Sequence, residues 1–355
     1  IEVTASVWLD KHQEWSGYAT WGKWSPFIKR ASHASYSVDD LPHINISQDE
    51  MTVRGNPKDG DTASKVRLKV VLHRDSTSIE SPVLWYLHGT TRTTGVTPEK
   101  IFRDGLGNVE DYTCEVEVPQ YSQSIRAPVI GGVICNPTTT SMLLNSVSQM
   151  EGKSLNLLPE EVAMGCYDFR NDSFGSWSFV MAAAGTYGYQ SYVDYSTIER
   201  IKRHLKNGYA IGASVAYSND PEADNYLENA YTSTPGHLIV LRGYEVIDGI
   251  EYFISNDAAN PSNKAVRKFY RVDQFENVWS RNAIYIVKPG KVNGVGKYPV
   301  ERIKAELKEV ETFSYVVKLK DNMVVEAPKQ DSSYSNRHGF IGYITAPEVF
   351  EGADA

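Results

Sequence analysis

The sequence predicts a protein of several domains with an α+β domain at its centre. Helical signals dominate residues 137–208, and strand signals dominate residues 210–287. Short alternating strands over residues 1–92 predict an all-β, sandwich-like domain ahead of this centre. The predicted units are a β-sandwich-like accessory domain, the α+β domain and a small extension, at residues 1–112, 113–290 and 291–355.

Composition excludes several kinds of partner. The chain has 355 residues, with 41% hydrophobic and 23% charged residues, as is ordinary for a soluble globular protein. A formal net charge of -8 without any block of Lys or Arg argues against nucleic acid and against anionic membranes. No apolar run approaches the roughly 18 residues that span a bilayer. The chain opens at Ile1 without a methionine or a signal-peptide pattern, which predicts a mature, processed chain.

The N-terminal domain is predicted from three runs of residues. Alternation of apolar and polar residues predicts strands at 1–9 and 66–70, and an aromatic and branched run predicts another at 81–87. A charged, glycine-containing segment at 94–111 is a predicted linker to the next domain.

Four aromatic residues cluster early in this domain, at Trp15, Tyr18, Trp21 and Trp24. Such a cluster serves either as packing for the core and loops or as a platform for stacking sugars. The second use would give the N-terminal domain a cell-surface glycan as its partner.

Local signals fix several elements of the central domain. Pro137 and Pro159 each suit the first turn of a helix, and Pro159 is followed by two glutamates. The segment 196–199, Ser-Thr-Ile-Glu, predicts a capping box at the start of another helix. Asp248-Gly249 predicts a tight hairpin turn between two strands.

The extension beyond residue 288 has weaker signals. We expect a short helix at 299–307 and a hairpin of strands 315–320 and 323–327. About 65 residues are few for an independent core, so this extension is expected to lean on another domain.

Cys135 lies where a polar loop turns into an apolar helical run. Unpaired N–H groups and the helix dipole favour an anion at that position, so they stabilise a thiolate and prepare a nucleophile. The position equally suits a buried structural thiol. Pairing of Cys114 with Cys166 in a disulfide would leave Cys135 as the odd thiol.

Two residues on the following strands suit a base and its partner. His237 opens an apolar strand, and Asp257 ends the strand that returns from the Asp248-Gly249 turn, so their side chains can approach across the hairpin. A thiol nucleophile needs such a base, and the base needs an acceptor that fixes its tautomer. Taken singly, His237 could also be a hydrogen-bonded core histidine, and Asp257 could also form a turn at the end of its strand. A metal site is disfavoured, because no other His or Cys lies near His237 at ligand spacing.

Together these segments resemble the C39-like cysteine peptidases, which have a papain-like fold. The resemblance rests on four blocks in order, at residues 121–123, 135–142, 236–240 and 256–259. In that family a glutamine about a dozen residues before the cysteine helps to form the oxyanion hole, a role that Gln123 matches. The likeness is strongest to secreted bacterial members with a β-rich N-terminal region. Many members have glycine after the cysteine, whereas this chain has Asn136.

The resemblance implies a secreted or cell-surface bacterial cysteine peptidase that acts on peptide or protein substrates without a cofactor or metal. Cys135 would be the nucleophile, His237 the general base and acid, Asp257 the orienting group and Gln123 an oxyanion donor. We expect Asn136 and Trp177 to contact the substrate. Two alternatives stay open, an acyl or peptidyl transferase using the same residues and an inactive surface protein for adhesion or glycan binding.

Overall fold

A computed structural model of the protein describes most of the first two predicted domains and three strands of the extension. The described residues are 1–25, 32–35, 41–47, 49–74, 79, 82–92, 112–126, 130–290, 304–307, 315–318 and 324–327. The predicted linker at 94–111 lies outside them.

The helices of the described residues are α1 (Cys135–Met150), α2 (Pro159–Cys166), α3 (Trp177–Gly185), α4 (Ile198–Lys206) and α5 (Val272–Val278). The strands are β1 (Glu2–Leu9), β2 (Glu14–Trp15), β3 (Ala19–Lys23), β4 (His33–Ala34), β5 (Ile44–Ser47), β6 (Glu50–Val53), β7 (Ala63–Val71), β8 (Cys114–Glu115), β9 (Tyr189–Tyr195), β10 (Ile211–Tyr217), β11 (Thr234–Ile247), β12 (Ile250–Asn256), β13 (Arg267–Arg271), β14 (Trp279–Pro289), β15 (Lys304–Leu307), β16 (Tyr315–Lys318) and β17 (Val324–Ala327). None of these helices is long and apolar enough to cross a bilayer.

The N-terminal region consists of two antiparallel sheets that enclose a small core. One sheet has the order β2-β1-β3-β4 with β7 on the other edge of β1, and the second is the β5–β6 hairpin. Leu9 and Ala19 from the first sheet pack with Ile44 and Ile46 from the hairpin. The predicted strands at 1–9 and 66–70 are confirmed as β1 and β7, whereas residues 82–87 form no strand.

Of the clustered aromatics, Trp24 joins this region to the helical half of the central domain, whereas Trp21 bonds within the N-terminal region. The indole N–H of Trp24 donates to the Gly165 carbonyl at 2.9 Å, and that of Trp21 donates to the Asp49 carbonyl at 3.1 Å. Trp15 and Tyr18 instead lie under the Arg67 guanidinium, with ring centroids at 4.3 and 5.0 Å. The four aromatics therefore serve different contacts rather than one shared platform.

The central domain is built on a seven-stranded antiparallel sheet of order β13-β12-β11-β10-β14-β9, with β8 beside β11. Side chains alternate between the two faces of a strand. In β11, Leu238 and Val240 pack with helices α1 to α3, while Ile239 and Leu241 pack with α4 and α5. Both faces of the sheet are therefore buried, which is why its central strands are almost continuously apolar.

Most local signals of this domain are confirmed. Pro159 is the first residue of α2, and the carboxylate of Glu161 accepts from the Leu158 N–H at 2.8 Å. Asp248 and Gly249 form the β11–β12 turn with φ angles of 51° and 78°. The cap of α4 lies one residue later than expected, at Thr197, because the Ser196 N–H is bonded to the Asn282 carbonyl.

In the extension, β16 and β17 confirm the predicted hairpin. The helix expected at 299–307 is wrong over residues 304–307, which form β15 and pair antiparallel with β16 from Lys304↔Lys318 to Leu307↔Tyr315. Residues 299–303 lie outside the described part of the chain. Pairing with a neighbouring strand overrides a weak local helix signal here.

Candidate active site

Cys135 is the first residue of α1, and it is half-buried. A short 3₁₀ turn at Gly131–Val133 leads into the helix, which is buried from Asn136 to Ser148. One turn further along, the Thr139 hydroxyl donates to the Leu238 carbonyl at 3.0 Å. This bond fixes the start of α1 against β11, the strand that carries His237.

His237 lies near the start of β11, and Asp257 directly follows β12. The Nε2 atom of His237 is 2.9 Å from Oδ1 of Asp257, so the predicted approach across the hairpin is confirmed. The His237 side chain also lies close enough to the Cys135 thiol for each to shift the pKa of the other. Because Nε2 faces the carboxylate, Nδ1 is the ring nitrogen left for the thiol.

The Asp257 carboxylate is fully buried and accepts hydrogen bonds on both oxygens. Besides His237, the Ala259 N–H donates to Oδ1 at 3.0 Å. The hydroxyls of Tyr217 and Tyr270 donate to Oδ2, each at 2.6 Å. The sequence reasoning missed both tyrosines, since nothing in their local sequence distinguishes them from ordinary core residues.

These contacts favour a charged cysteine–histidine pair. Burial alone raises the pKa of Cys135, but the hydrogen bond and positive charge of His237 outweigh it, and the net pKa is lowered. Burial alone lowers the pKa of His237, but the negative charge of Asp257 raises it to about 10. Burial also opposes ionisation of Asp257, but His237 and the two tyrosines lower its pKa to about 2.

Gln123 lies in a 3₁₀ turn that is bonded to the segment after Asp257. The Gln123 N–H donates to the Ala258 carbonyl at 2.9 Å, and the Ser124 hydroxyl donates to the Ala259 carbonyl at 3.0 Å. Gly131 touches the same turn, where a Cβ would lie 2.8 Å from the Gln123 carbonyl oxygen. Glycine is therefore required at 131, and the turn of Gln123 contacts the turn that precedes Cys135.

The Gln123 side chain is buried, and its Oε1 atom has no hydrogen-bond partner among the described residues. An amide in that state is held by packing rather than by solvent, so Gln123 is not an ordinary solvated loop glutamine.

Asn136 has a different role from the one expected. Its side chain is 1% exposed, and Nδ2 donates to the carbonyls of Phe174 and Ser176 at 3.0 and 3.3 Å. The prediction that Asn136 contacts substrate is therefore wrong for its side chain, because both N–H groups already hold the loop before α3.

Trp177 is the first residue of α3 and is half-buried. Its ring packs edge-on against Tyr285 at 5.7 Å, and the Arg281 guanidinium lies over it at 5.5 Å. Its backbone N–H donates at 2.7 Å to Oδ1 of Asp49, a residue between β5 and β6. No signal in the sequence connects Asp49 with this helix.

All three cysteines are free thiols, so the considered pairing of Cys114 with Cys166 does not occur. Burial raises the pKa of both Cys114 and Cys166. Among the described residues, no group of three or more His, Cys, Asp or Glu side chains is arranged to hold a metal ion.

The central domain matches a known protein family. The profile of the peptidase C39-like family matches residues 115–285. This domain belongs to the C39-like family. Its helical half and antiparallel β half form the papain-like fold that the resemblance predicted.

Solved structures similar to this chain include C39-like and papain-like peptidases. One is a Bacillus anthracis protein described as a C39-like peptidase, with a TM-score of 0.36, 15% identity, and coverage of 51% of this chain and 100% of that one. Procathepsin L 3 of Tenebrio molitor has a TM-score of 0.34 and 10% identity, covering 50% and 70%. Procathepsin B of Trypanosoma congolense has a TM-score of 0.35 and 11% identity, covering 57% and 85%. No curated protein matches the chain.

Proposed function

We propose that the C39-like domain is a cysteine peptidase that hydrolyses peptide or isopeptide bonds. One observation carries the proposal: His237 binds Asp257 through Nε2 at 2.9 Å and faces the half-buried Cys135 thiol with its other side. A thiol, a base and an acceptor that orients the base are the three groups that acyl transfer to cysteine requires.

In the proposed reaction, the Cys135 thiolate attacks the carbonyl carbon of the substrate and forms a tetrahedral intermediate. As the first residue of α1, Cys135 has a backbone N–H without an acceptor within the helix, so this group is available to the oxyanion. The side-chain amide of Gln123 is the proposed second donor. Contact between the Gln123 turn and the turn before Cys135 supports this assignment.

The His237 imidazolium then gives its proton to the leaving amine, and a thioester to Cys135 remains. Neutral His237 takes a proton from water, which attacks the thioester and releases the acid. Asp257 stays ionised throughout and stabilises the imidazolium whenever it forms.

The test measures which peptides of a peptide library the protein cleaves. The wild-type chain is expected to cleave a subset of the library, and Cys135→Ala is expected to cleave none. Cys114→Ala is the matched control, since Cys114 is another half-buried thiol but lies on β8. Absence of cleavage by the wild-type chain, or equal cleavage by Cys135→Ala, would contradict the proposal.

Adding an amine nucleophile distinguishes hydrolysis of the acyl group from its transfer to the amine. A hydrolase is expected to release the acid even at high concentrations of an amine nucleophile. Conversion of most product into the amide would instead favour the transferase alternative, which uses the same residues.

A further inference from the structure

Asp257 makes more hydrogen bonds than the orientation of a histidine requires. Oδ1 accepts from His237 at 2.9 Å and from the Ala259 N–H at 3.0 Å. Oδ2 accepts from the hydroxyls of Tyr217 and Tyr270, each at 2.6 Å. Both oxygens are therefore saturated at a site that water does not reach.

The two tyrosines reach the carboxylate from the strands on opposite sides of the His237–Asp257 hairpin. Tyr217 ends β10 beside β11, and Tyr270 lies in β13 beside β12. Tyr217 is 1% exposed and Tyr270 is 0% exposed. The ring of Tyr217 also meets the His237 ring edge-on, at 6.1 Å between centroids.

We propose that Tyr217 and Tyr270 form a phenol clamp, a pair of positioning residues that keep Asp257 ionised and aim its Oδ1 atom at His237. This inference rests on the proposed function, because it assigns how the base of that reaction is held. The tyrosines are positioning rather than catalytic residues, since both hydroxyls are bonded to Asp257 and act on the thiol only through His237.

The clamp is needed because Asp257 is buried. A buried carboxylate takes up a proton unless donors or charges stabilise its ionised form. The groups that face Asp257 are His237 on β11, Tyr217 on β10 and Tyr270 on β13, with Cys135 on α1 beyond the histidine. Among these side chains, only the tyrosines stabilise the anion without titrating in the neutral range, since burial and the charge of Asp257 raise their pKa values further.

Protonation of Asp257 removes the negative partner of the imidazolium. His237 would then return its proton to the thiolate, and the nucleophile would be lost. The clamp therefore sets the lowest pH at which the thiolate survives. Loss of one hydrogen bond to a charged group weakens ionisation roughly tenfold to a hundredfold, which corresponds to about one to two pH units.

The experiment measures alkylation of Cys135 by iodoacetamide from pH 2 to pH 9 in the full chain, with Tyr217→Phe, Tyr270→Phe and the double variant. Phenylalanine keeps the ring and removes only the hydroxyl. Tyr244→Phe is the matched control, because Tyr244 is a buried tyrosine on β11 that donates to the Glu251 carboxylate away from the site.

We expect the acid limb of Cys135 alkylation to move to higher pH, by about one unit or more for each single variant and further for the double variant. Peptide turnover at neutral pH should lose kcat with KM unchanged, since neither tyrosine touches the substrate. Tyr244→Phe should leave both quantities within twofold of the wild type. The single variants decide the question if the double variant does not fold.

An acid limb in Tyr217→Phe and Tyr270→Phe that coincides with that of Tyr244→Phe would overturn the clamp. Such a result differs from failure of the proposed function. If the proposed function itself failed, Cys135 of the wild-type chain would react at neutral pH no faster than a thiol in the unfolded chain.

Discussion

The two halves of the candidate active site are held in different ways. The base half consists of His237, Asp257 and the two tyrosines, all on four adjacent strands of one sheet. The nucleophile half consists of Cys135 and the contacts that support it. Asn136 binds the loop before α3, and Asp49, from the N-terminal region, binds the start of α3.

The two halves therefore depend on different parts of the chain. The partners of the base half are set by strand pairing within the C39-like domain. The nucleophile half depends on Asp49, a residue 128 positions from Trp177, since Asp49 accepts from the Trp177 N–H at 2.7 Å and from the Ser176 hydroxyl at 3.4 Å. Substitutions in the base half should therefore chiefly change the chemistry, and substitutions of Asn136 and Asp49, which support the nucleophile half, should chiefly change stability.

The largest effect is expected from Asp257→Asn, which breaks the base half. A histidine that loses a buried carboxylate partner loses about one to three units of its raised pKa. Cys135 alkylation at pH 7 should therefore fall roughly tenfold to a thousandfold. Asp273→Asn, at an exposed aspartate paired with Arg271, is the control and should change nothing. Equal rates in both variants would show that Asp257 does not support the thiolate.

Asn136→Ala tests the nucleophile half. It removes the donor of two buried carbonyls, so the free energy of unfolding should fall by about 2–4 kcal/mol. Urea denaturation followed by tryptophan fluorescence measures the change. Asn225→Ala, which removes one bond from a half-buried asparagine to the Ala216 carbonyl at 3.3 Å, should cost less. A loss no greater than that of Asn225→Ala would contradict the role assigned to Asn136.

Acid should weaken the base half through Asp257. Its pKa is about 2 in the folded protein against an ordinary 3.8, so its ionisation stabilises the fold above about pH 4. That contribution, about 2 kcal/mol, should disappear as the pH falls towards 2. Unfolding free energies measured from pH 5 to pH 2 should fall less steeply in Asp257→Asn. Parallel curves for the two proteins would contradict the lowered pKa.

The smallest effect is expected from Asp49→Ala, which removes a capping carboxylate from α3. Loss of such a cap costs about 1 kcal/mol. Asp49→Asn keeps an acceptor oxygen and should recover most of the loss. The alkylation rate of Cys135 should change less than in Asp257→Asn, which distinguishes a stabilising contact from a chemical one.

Sequence reasoning reached the base half because a hairpin turn brings two strands into register. The Asp248-Gly249 turn and the strands on either side of it bring His237 and Asp257 to the same end of the hairpin, where their side chains meet. The tyrosines could not be found in this way, since their proximity depends on which strands flank the hairpin, and sheet order is not written in a local pattern.

The sequence predicts the nucleophile half only in part. The helix start at Cys135 follows from local signals, but the bonds of Asn136 run to a loop 38 and 40 residues away, and Asp49 belongs to another region. Side chains that bind distant backbone look like exposed polar residues in the sequence. Asn136 was expected to contact a substrate because it directly follows Cys135, and nothing in the sequence indicates its distant partners.

The most direct test of the central claim is the pH dependence of alkylation at the three cysteines of one chain, read by mass mapping. Cys114 is half-buried like Cys135, but burial raises its pKa, whereas His237 lowers that of Cys135. We predict that Cys135 is labelled at pH 6 much faster than Cys114, and that His237→Ala abolishes the difference. Labelling of Cys135 and Cys114 with the same pH dependence in the native protein would contradict the account.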